Sequence, residues 1–179
     1  MDVAHSRVLE VGIPVACRSC QARHGVVCGA LSNSQLRELG RHSLRRTVGA
    51  GCEIIAQGSE SSSYSNIMRG VVKLCKVMPD GRQQIVGLQF APDFVGRPFV
   101  RESTLSAEAA TDAEICVFPR NLLDRMISEA PELQRSLHDQ ALKELDAARE
   151  WMLTLGRRTA GEKVASLLYL IATHAEPHN

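Results

Sequence analysis

The alternation of apolar and polar positions divides the chain into an irregular start, a strand-rich middle and a helical end. Residues 1–30 carry no clear period, and a short helical pattern then runs from Leu31 to Leu44 with Ser32 or Ser34 as its N-cap. Short apolar segments separated by turn residues predict strands in the middle of the chain. These segments are Arg45–Val48, Cys52–Ala56, Ile67–Val77, Gln83–Phe90 and Ala113–Phe118. The pattern predicts an α+β fold built on an antiparallel β-roll or jelly roll.

One hairpin stands out in the strand-rich region. The strand pattern Val71–Val77 is followed by Met78-Pro79-Asp80-Gly81 and then by the strand pattern Gln83–Phe90. Proline fixes φ at the second turn position, and glycine tolerates a positive φ near the end of the turn. The two strands are therefore expected to pair directly.

After Pro119 the apolar period becomes helical. A short helix is predicted over Asn121–Ala130, and Pro131 can open a longer helix that continues without a breaker to Leu155. The long helix carries two apolar stripes, of which the first is expected to pack on the β-roll and contains Leu133, Leu137 and Leu142. The second has heptad spacing and comprises His138, Ala141, Leu145, Ala148, Met152 and Leu155. This second stripe of the long helix (α4, predicted over Pro131–Leu155) is called the α4 seam. It predicts a homodimer interface, and the alternative is a helix packed within its own monomer.

Composition limits the class of protein. Charges nearly balance, with 21 Lys and Arg against 20 Asp and Glu, so the overall charge gives no sign of a nucleic-acid-binding surface. Neither a secretory signal nor an apolar run long enough to span a membrane is present in the sequence. A cytoplasmic protein is therefore expected, in which thiols stay reduced and available for metal. Sequence motifs typical of common hydrolases and nucleotide-binding enzymes are also lacking, which argues against an enzyme.

Cysteine spacing is the most informative chemical feature. Cys17, Cys20 and Cys28 form the pattern C-x2-C-x7-C in the cysteine arm (residues 1–30), and Cys116 lies in a predicted strand. Four soft thiolates match one iron–sulfur cluster, although a structural zinc site or uncommitted thiols remain alternatives; the lack of a secretory signal argues against disulfides. The other two cysteines, Cys52 and Cys75, fall in predicted strands and are expected to be small buried hydrophobes.

Histidines offer fewer candidates. The six histidines are scattered along the sequence, which does not favour a haem site. His24 lies inside the cysteine arm, where it could replace one cysteine as a ligand, an uncommon arrangement. His138 belongs to the α4 seam, where burial in a dimer would make association depend on pH.

The order of these features resembles the FNR branch of the CRP/FNR bacterial transcription regulators. The resemblance rests on the cysteine arm, the β-roll, the segment Glu114–Pro119, the long helix and the segment Arg157–Ala165. It implies that Cys17, Cys20, Cys28 and Cys116 bind an oxygen-labile 4Fe-4S cluster. Oxygen would convert this cluster to a 2Fe-2S form and then destroy it, which would weaken the dimer. An interaction module with a structural zinc or iron–sulfur arm, without DNA binding of its own, is the alternative function.

The resemblance also implies a domain organisation. Residues 1–30 would be the cluster-binding arm, 31–130 the sensory β-roll, 131–156 the dimerisation helix and 157–179 the start of a winged helix-turn-helix domain. The predicted helix Thr159–Thr173 resembles the first helix of that DNA-binding domain, and the recognition helix is expected in a longer parent chain. DNA and RNA polymerase would be partners of that parent.

Some β-rolls of this superfamily bind cyclic nucleotide through a glycine–glutamate pair and a downstream arginine. Here the first motif reads Asp93–Pro98, with Arg97 where the glutamate would be, and the stretch Ser103–Ala107 offers hydroxyls but no arginine. A buried phosphate needs a compensating cation. No cyclic nucleotide binding is therefore expected.

Overall fold

The computed structural model describes residues 13–175. Its first elements are a short helix α1 (Val15–Arg18), 3₁₀ turns at Gln21–His24 and Cys28–Ala30, and helix α2 (Asn33–His42). The Ser32 side chain accepts the Gln35 N–H while the Gln35 side chain accepts the Ser32 N–H, which caps two free donors of α2. This confirms the helix and the N-cap predicted there; the part of the cysteine arm before Ile13 lies outside the described residues.

Eight strands are present between residues 13 and 175. They are β1 (Leu44–Val48), β2 (Glu53–Ile55), β3 (Ser63–Arg69), β4 (Val71–Val77), β5 (Gln83–Phe90), β6 (Phe94–Val95), β7 (Ser106–Ala109) and β8 (Ala113–Pro119). They form two antiparallel four-stranded sheets, in the orders β1-β8-β3-β6 and β2-β7-β4-β5. The predicted α+β class with an antiparallel β-roll is confirmed.

The predicted strand Ile67–Val77 is in fact two strands in different sheets. Gly70 separates them with a φ of 91°, and a Cβ at this position would lie 2.5 Å from the Asp112 carbonyl oxygen. Only glycine fits such a backbone and such a close approach. Apolar residues on both sides of Gly70 made the break invisible to the apolar pattern.

The β4–β5 hairpin has the predicted turn. The Gly81 N–H donates to the Met78 carbonyl over 2.9 Å, and Gly81 has a φ of 84°. Val77 pairs with Gln83 at the base of the turn. The short strands β6 and β7 had not been predicted, since neither shows a clear alternation.

Two helices follow the sheets, α3 (Arg120–Glu129) and α4 (Pro131–Arg157). Both agree with the helices predicted from the apolar period. Their buried faces join one side of the β1–β8–β3 sheet in a core that also includes the cysteine arm. The members of this core include Val27, Leu36, Leu39, Tyr64, Phe94, Phe118, Leu122, Leu123, Met126, Ile127 and Leu133. Along the first α4 stripe, Leu133 is fully buried and Leu137 half-buried, whereas Leu142 is exposed.

The chain separates into two compact units between Gln140 and Ala141. The second unit contains the remainder of α4 and helix α5 (Ala160–Ala175). Thr159 caps α5, because its hydroxyl oxygen accepts the Glu162 backbone N–H over 3.4 Å while the Glu162 carboxylate accepts the Thr159 N–H over 2.8 Å. No helix in the described part of the chain is long and apolar enough to cross a membrane.

Candidate metal centre

The three cysteines singled out by their spacing and Cys116, which the resemblance adds to them, line one cavity in the first unit, the cysteine cavity. Its apolar wall is formed by Ala22, Leu36, Leu39 and Phe118. Polar side chains of Arg23, Ser43, Arg45 and Asn66 complete the lining. The fold therefore brings Cys116 to the three cysteines of the arm, despite its distance from them in sequence.

Tight turns place the arm cysteines. The Cys17 N–H donates to the Pro14 carbonyl over 2.8 Å, and Cys20 follows at the end of α1. Cys28 opens the second 3₁₀ turn, which is fixed by a 2.8 Å hydrogen bond from the Gly29 N–H to the Gly25 carbonyl. Successive turns with few side-chain atoms between them allow three thiols to face the same space.

Cys116 is placed by sheet register. It lies on β8 between Arg45 on β1 and Asn66 on β3, its direct partners in the two ladders. Directly opposed residues in a sheet project to the same face. Arg45, Cys116 and Asn66 therefore form a polar row across three strands, and this row is the floor of the cysteine cavity.

Burial opposes the ionisation of three thiols in the cavity, those of Cys17, Cys28 and Cys116. Burial, together with the neighbouring thiols of Cys116, Cys20 and Cys17, raises the pKa of Cys28 to about 12, against a lowering hydrogen bond from Asn66. Burial also raises the pKa of Cys116, against a hydrogen bond with the Ser43 hydroxyl. Metal binding at such thiols must displace their protons.

Two arginines counter the negative charge that bound thiolates would bring. Burial and Cys20 raise the pKa of Cys17, whereas the guanidinium groups of Arg45 and Arg23 lower it. Arg45 also lowers the pKa of Cys116. Sequence reasoning had missed both arginines, because their roles depend on the sheet register and on the turn after Cys20.

The donor set is purely sulfur. Four thiols line the cavity, and no carboxylate or imidazole is among its lining residues. Thiolates are the usual ligands of iron–sulfur clusters and are also common in zinc sites. The donor chemistry thus fits an iron–sulfur cluster. Within residues 13–175, no group of three or more Cys, His, Asp or Glu side chains has the arrangement needed to hold a single metal ion.

The remaining cysteines and His24 lie elsewhere. Cys75 is buried on β4, as predicted. Cys52 is exposed, so the prediction of a buried strand residue was wrong there. The reason is local, since the Cys52 N–H closes a turn onto the Gly49 carbonyl before β2 begins. His24 is exposed in the first 3₁₀ turn and is not part of the cavity lining.

The α4 seam is largely solvent-accessible in the single chain. Leu145, Met152 and Leu155 are 45%, 67% and 45% exposed. His138 and Ala141 are exposed as well, and Ala148 is half-buried. Exposed apolar side chains at heptad spacing are typical of a surface that another helix covers.

The segment Ser103–Ala107, which was expected to lack a cation for a cyclic phosphate, has two cationic side chains nearby. Arg97 donates to the Thr104 hydroxyl over 2.5 Å, and the Lys76 ammonium group donates to the Thr104 carbonyl over 2.9 Å. Sequence reasoning had looked for the cation only downstream of Asp93–Pro98 and missed that these side chains reach back to Thr104. The absence of cyclic nucleotide binding stays a prediction.

Comparisons with known proteins agree on the fold and on a class of function. Residues 45–130 match the family model described as "Cyclic nucleotide-binding domain". The chain is 89% identical over 177 residues to a "Probable transcriptional activator" of Rhizobium leguminosarum bv. viciae, covering 99% of this chain and 74% of that protein. It is 40% identical to the "Transcriptional activator protein FnrL" of Cereibacter sphaeroides, covering 87% of this chain and 63% of that protein.

A solved structure has the same fold. The structure of FixK2 from Bradyrhizobium japonicum matches with a TM-score of 0.66 and 27% identity, over 72% of this chain and 65% of that one. The chain thus spans just under two thirds of both FnrL and FixK2. The matches extend well beyond the β-roll itself.

Proposed function

Because the chain belongs to the CRP/FNR superfamily of bacterial transcription regulators rather than to a class of enzymes, we propose that it is the sensory part of an oxygen-responsive regulator. The observation that carries this proposal is the cysteine cavity. Three thiols singled out by spacing and a fourth, Cys116, indicated by the family resemblance line one space, walled by apolar side chains and flanked by two arginines. A buried cysteine with only a packing role would not need three other thiols and two arginines beside it.

In this proposal Cys17, Cys20, Cys28 and Cys116 hold a 4Fe-4S cluster. The bound cluster would supply an oxygen-labile centre that passes to a 2Fe-2S form and is then lost. Arg23 and Arg45 would offset the net negative charge of the four thiolates, since each already lowers the pKa of at least one of these thiols. The apolar wall would limit access of water to the sulfur atoms.

The arm would report its state to α4 through two contacts. The Ser136 hydroxyl on α4 donates to the Val26 carbonyl of the arm over 2.8 Å. The Val27 side chain, 0% exposed, is buried in the same core as Leu133, also on α4. When bound metal holds the arm in place, these contacts stabilise the first turns of α4. When the metal is lost and the arm moves away, the first turns of α4 lose both the packing of Val27 and the hydrogen bond to Val26.

The α4 seam is the surface that this change would act on. We place the homodimer interface at His138, Ala141, Leu145, Ala148, Met152 and Leu155, which repeat at heptad spacing and are mostly exposed in the single chain. Small and polar members make the seam weak, and a weak dimer is easily shifted by a modest change in the arm.

The complete regulator would then bind DNA as a dimer and contact RNA polymerase. In this proposal residues 1–30, 31–130 and 131–156 form the arm, the β-roll and the dimerisation helix. Residues 157–179 begin a winged helix-turn-helix domain whose first helix is α5. The apolar residues exposed on α5 fit this role, since such a helix packs within a larger domain. They are Val164, Leu167, Leu168, Tyr169 and Ile171.

The test uses protein purified without oxygen. Iron, acid-labile sulfide, zinc and the visible spectrum are measured before and after exposure to air, in the wild type and in Cys116→Ala. We expect close to four iron and four sulfide per chain, a broad absorption that changes within minutes of air, and loss of both in the variant.

Cys75→Ala is the matched control. Cys75 is also a buried strand cysteine, but it lies on β4 in the other sheet and outside the cysteine cavity. This variant should load like the wild type. A colourless wild type containing zinc, or iron without sulfide, would overturn the sensor proposal and favour a structural metal arm on an interaction module.

A further inference from the structure

Asn66 is a polar residue that is buried from solvent. It lies on β3 with 1% of its surface exposed, and its ladder partners are Cys116 on β8 and Phe94 on β6. Most fully buried side chains around it are apolar. A buried carboxamide is costly unless both its donor and its acceptor find partners.

The Asn66 carboxamide donates a hydrogen bond to a cysteine. Its Nδ2 group donates to the Cys28 sulfur over 3.3 Å. Its Oδ1 atom is buried and accepts no hydrogen bond from the residues that the structure describes. An unsatisfied buried acceptor costs on the order of 1 to 3 kcal/mol. Stability of the metal-free protein alone therefore does not account for this residue.

The contact with Cys28 gains strength when the sulfur carries negative charge. A neutral thiol is a weak acceptor, whereas hydrogen bonds to ionised acceptors are about twice as strong as those between neutral groups. A thiolate bound to metal accepts hydrogen bonds and donates none, so it is the Nδ2 group that must face it. The orientation seen here is the one that suits a metal-bound Cys28.

We propose that Asn66 is a positioning residue for Cys28 in the metal-loaded protein. It fixes the last cysteine of the arm against the sheet, beside Cys116, through the Nδ2–H to Sγ hydrogen bond. Partners that orient metal ligands typically change metal affinity by about 10- to 100-fold when removed. This inference rests on the proposed function, because it requires Cys28 to be a ligand.

Two variants of similar shape isolate the donor. Asn66→Leu removes both polar atoms while keeping the number and branching of the heavy atoms, and Asn66→Asp keeps Oδ1 while replacing the Nδ2 donor. Gln89→Met is the control, because Gln89 is another buried amide of the same unit, donates to the Phe94 carbonyl over 3.1 Å and does not line the cavity. All proteins are loaded with iron and sulfide without oxygen.

The first readout is the rate at which a strong iron(II) chelator removes iron in the absence of oxygen. We expect both Asn66 variants to release iron at least about ten times faster than the wild type. The second is the resonance Raman spectrum, in which bands of iron–cysteine stretching shift when a sulfur loses a hydrogen bond. Gln89→Met should match the wild type in both. The third is urea unfolding of the metal-free proteins, in which Asn66→Leu should be no less stable than the wild type.

The outcomes separate the two proposals. If the wild type loads iron and sulfide and the Asn66 variants match it in release rate and Raman bands, the role of Asn66 is refuted and the sensor proposal stands. If the metal-free Asn66 variants are destabilised and the Raman bands are unmoved, Asn66 is only structural and the inference fails. If the wild type itself loads no cluster, the sensor proposal fails and the inference falls with it.

Discussion

Val27 joins the cysteine arm to the core, and its truncation measures how firmly the arm is held. Val27→Ala removes two methyl groups from a side chain that is 0% exposed and packed in the core cluster with Leu133. Burial is worth about 0.8 kcal/mol for each carbon, and the cavity left behind adds to this. We expect the free energy of unfolding to fall by about 2 kcal/mol.

The assay is urea unfolding of the reduced, metal-free protein, followed by circular dichroism. Val15→Ala is the control, because Val15 lies in the same arm and is 79% exposed; its effect should stay within about 0.5 kcal/mol. A loss of stability for Val27→Ala no larger than that of Val15→Ala would refute the packing of the arm into the core. It would also remove the proposed route from the arm to α4.

Three further predictions test other parts of the chain. Gly70→Ala should destabilise the first unit by more than about 2 kcal/mol, since a clash of its Cβ with Asp112 adds to the strain of a positive φ, whereas Gly51→Ala (φ 83°, open space) should cost only the strain, about 1 to 2 kcal/mol; thermal unfolding distinguishes them. The pKa of Glu162 is lowered by hydrogen bonds from the Thr159 backbone and side chain; its stabilisation of α5 is present above about 4.5, its ordinary value, and is lost as pH falls through the lowered pKa. Helicity in acid should fall less in Glu162→Gln than in the wild type. Leu145→Glu should shift metal-loaded protein towards monomer in analytical ultracentrifugation, and an unchanged dimer would refute the α4 seam.

Much of the fold was readable from the sequence where a period and a turn signal coincide. The helix capped at Ser32, the hairpin around Gly81 and the start of α4 at Pro131 all agree with the structure. The break at Gly70 was not readable, because Ile67 and Met68 before it and Val71 and Val72 after it continue one apolar pattern. Cys52 was misjudged because its turn depends on one backbone hydrogen bond to Gly49.

The residues of the candidate site also divide into those that could be predicted from the sequence and those that could not. Cysteine spacing identified three of the four cysteines that line one cavity, and the family resemblance supplied the fourth, Cys116. Asn66, Arg45 and Ser43 were missed because their approach to Cys28 and Cys116 depends on pairing between distant strands. Nothing in the sequence pointed to Asn66, because it follows Ser65 directly before the predicted strand Ile67–Val77, where an asparagine is typical of a turn.

The hydrogen bond between Ser136 and Val26 has a consequence for the order of events during synthesis. The arm leaves the ribosome before the β-roll and α4, but the wall of its cavity and the core that holds Val27 are supplied by residues as late as Cys116, Leu133 and Ser136. Domains of this size fold as units once their parts are available. The arm is therefore made before the β-roll but fixed in place only after it, and the proposed cluster could be bound only when most of the first unit has been translated.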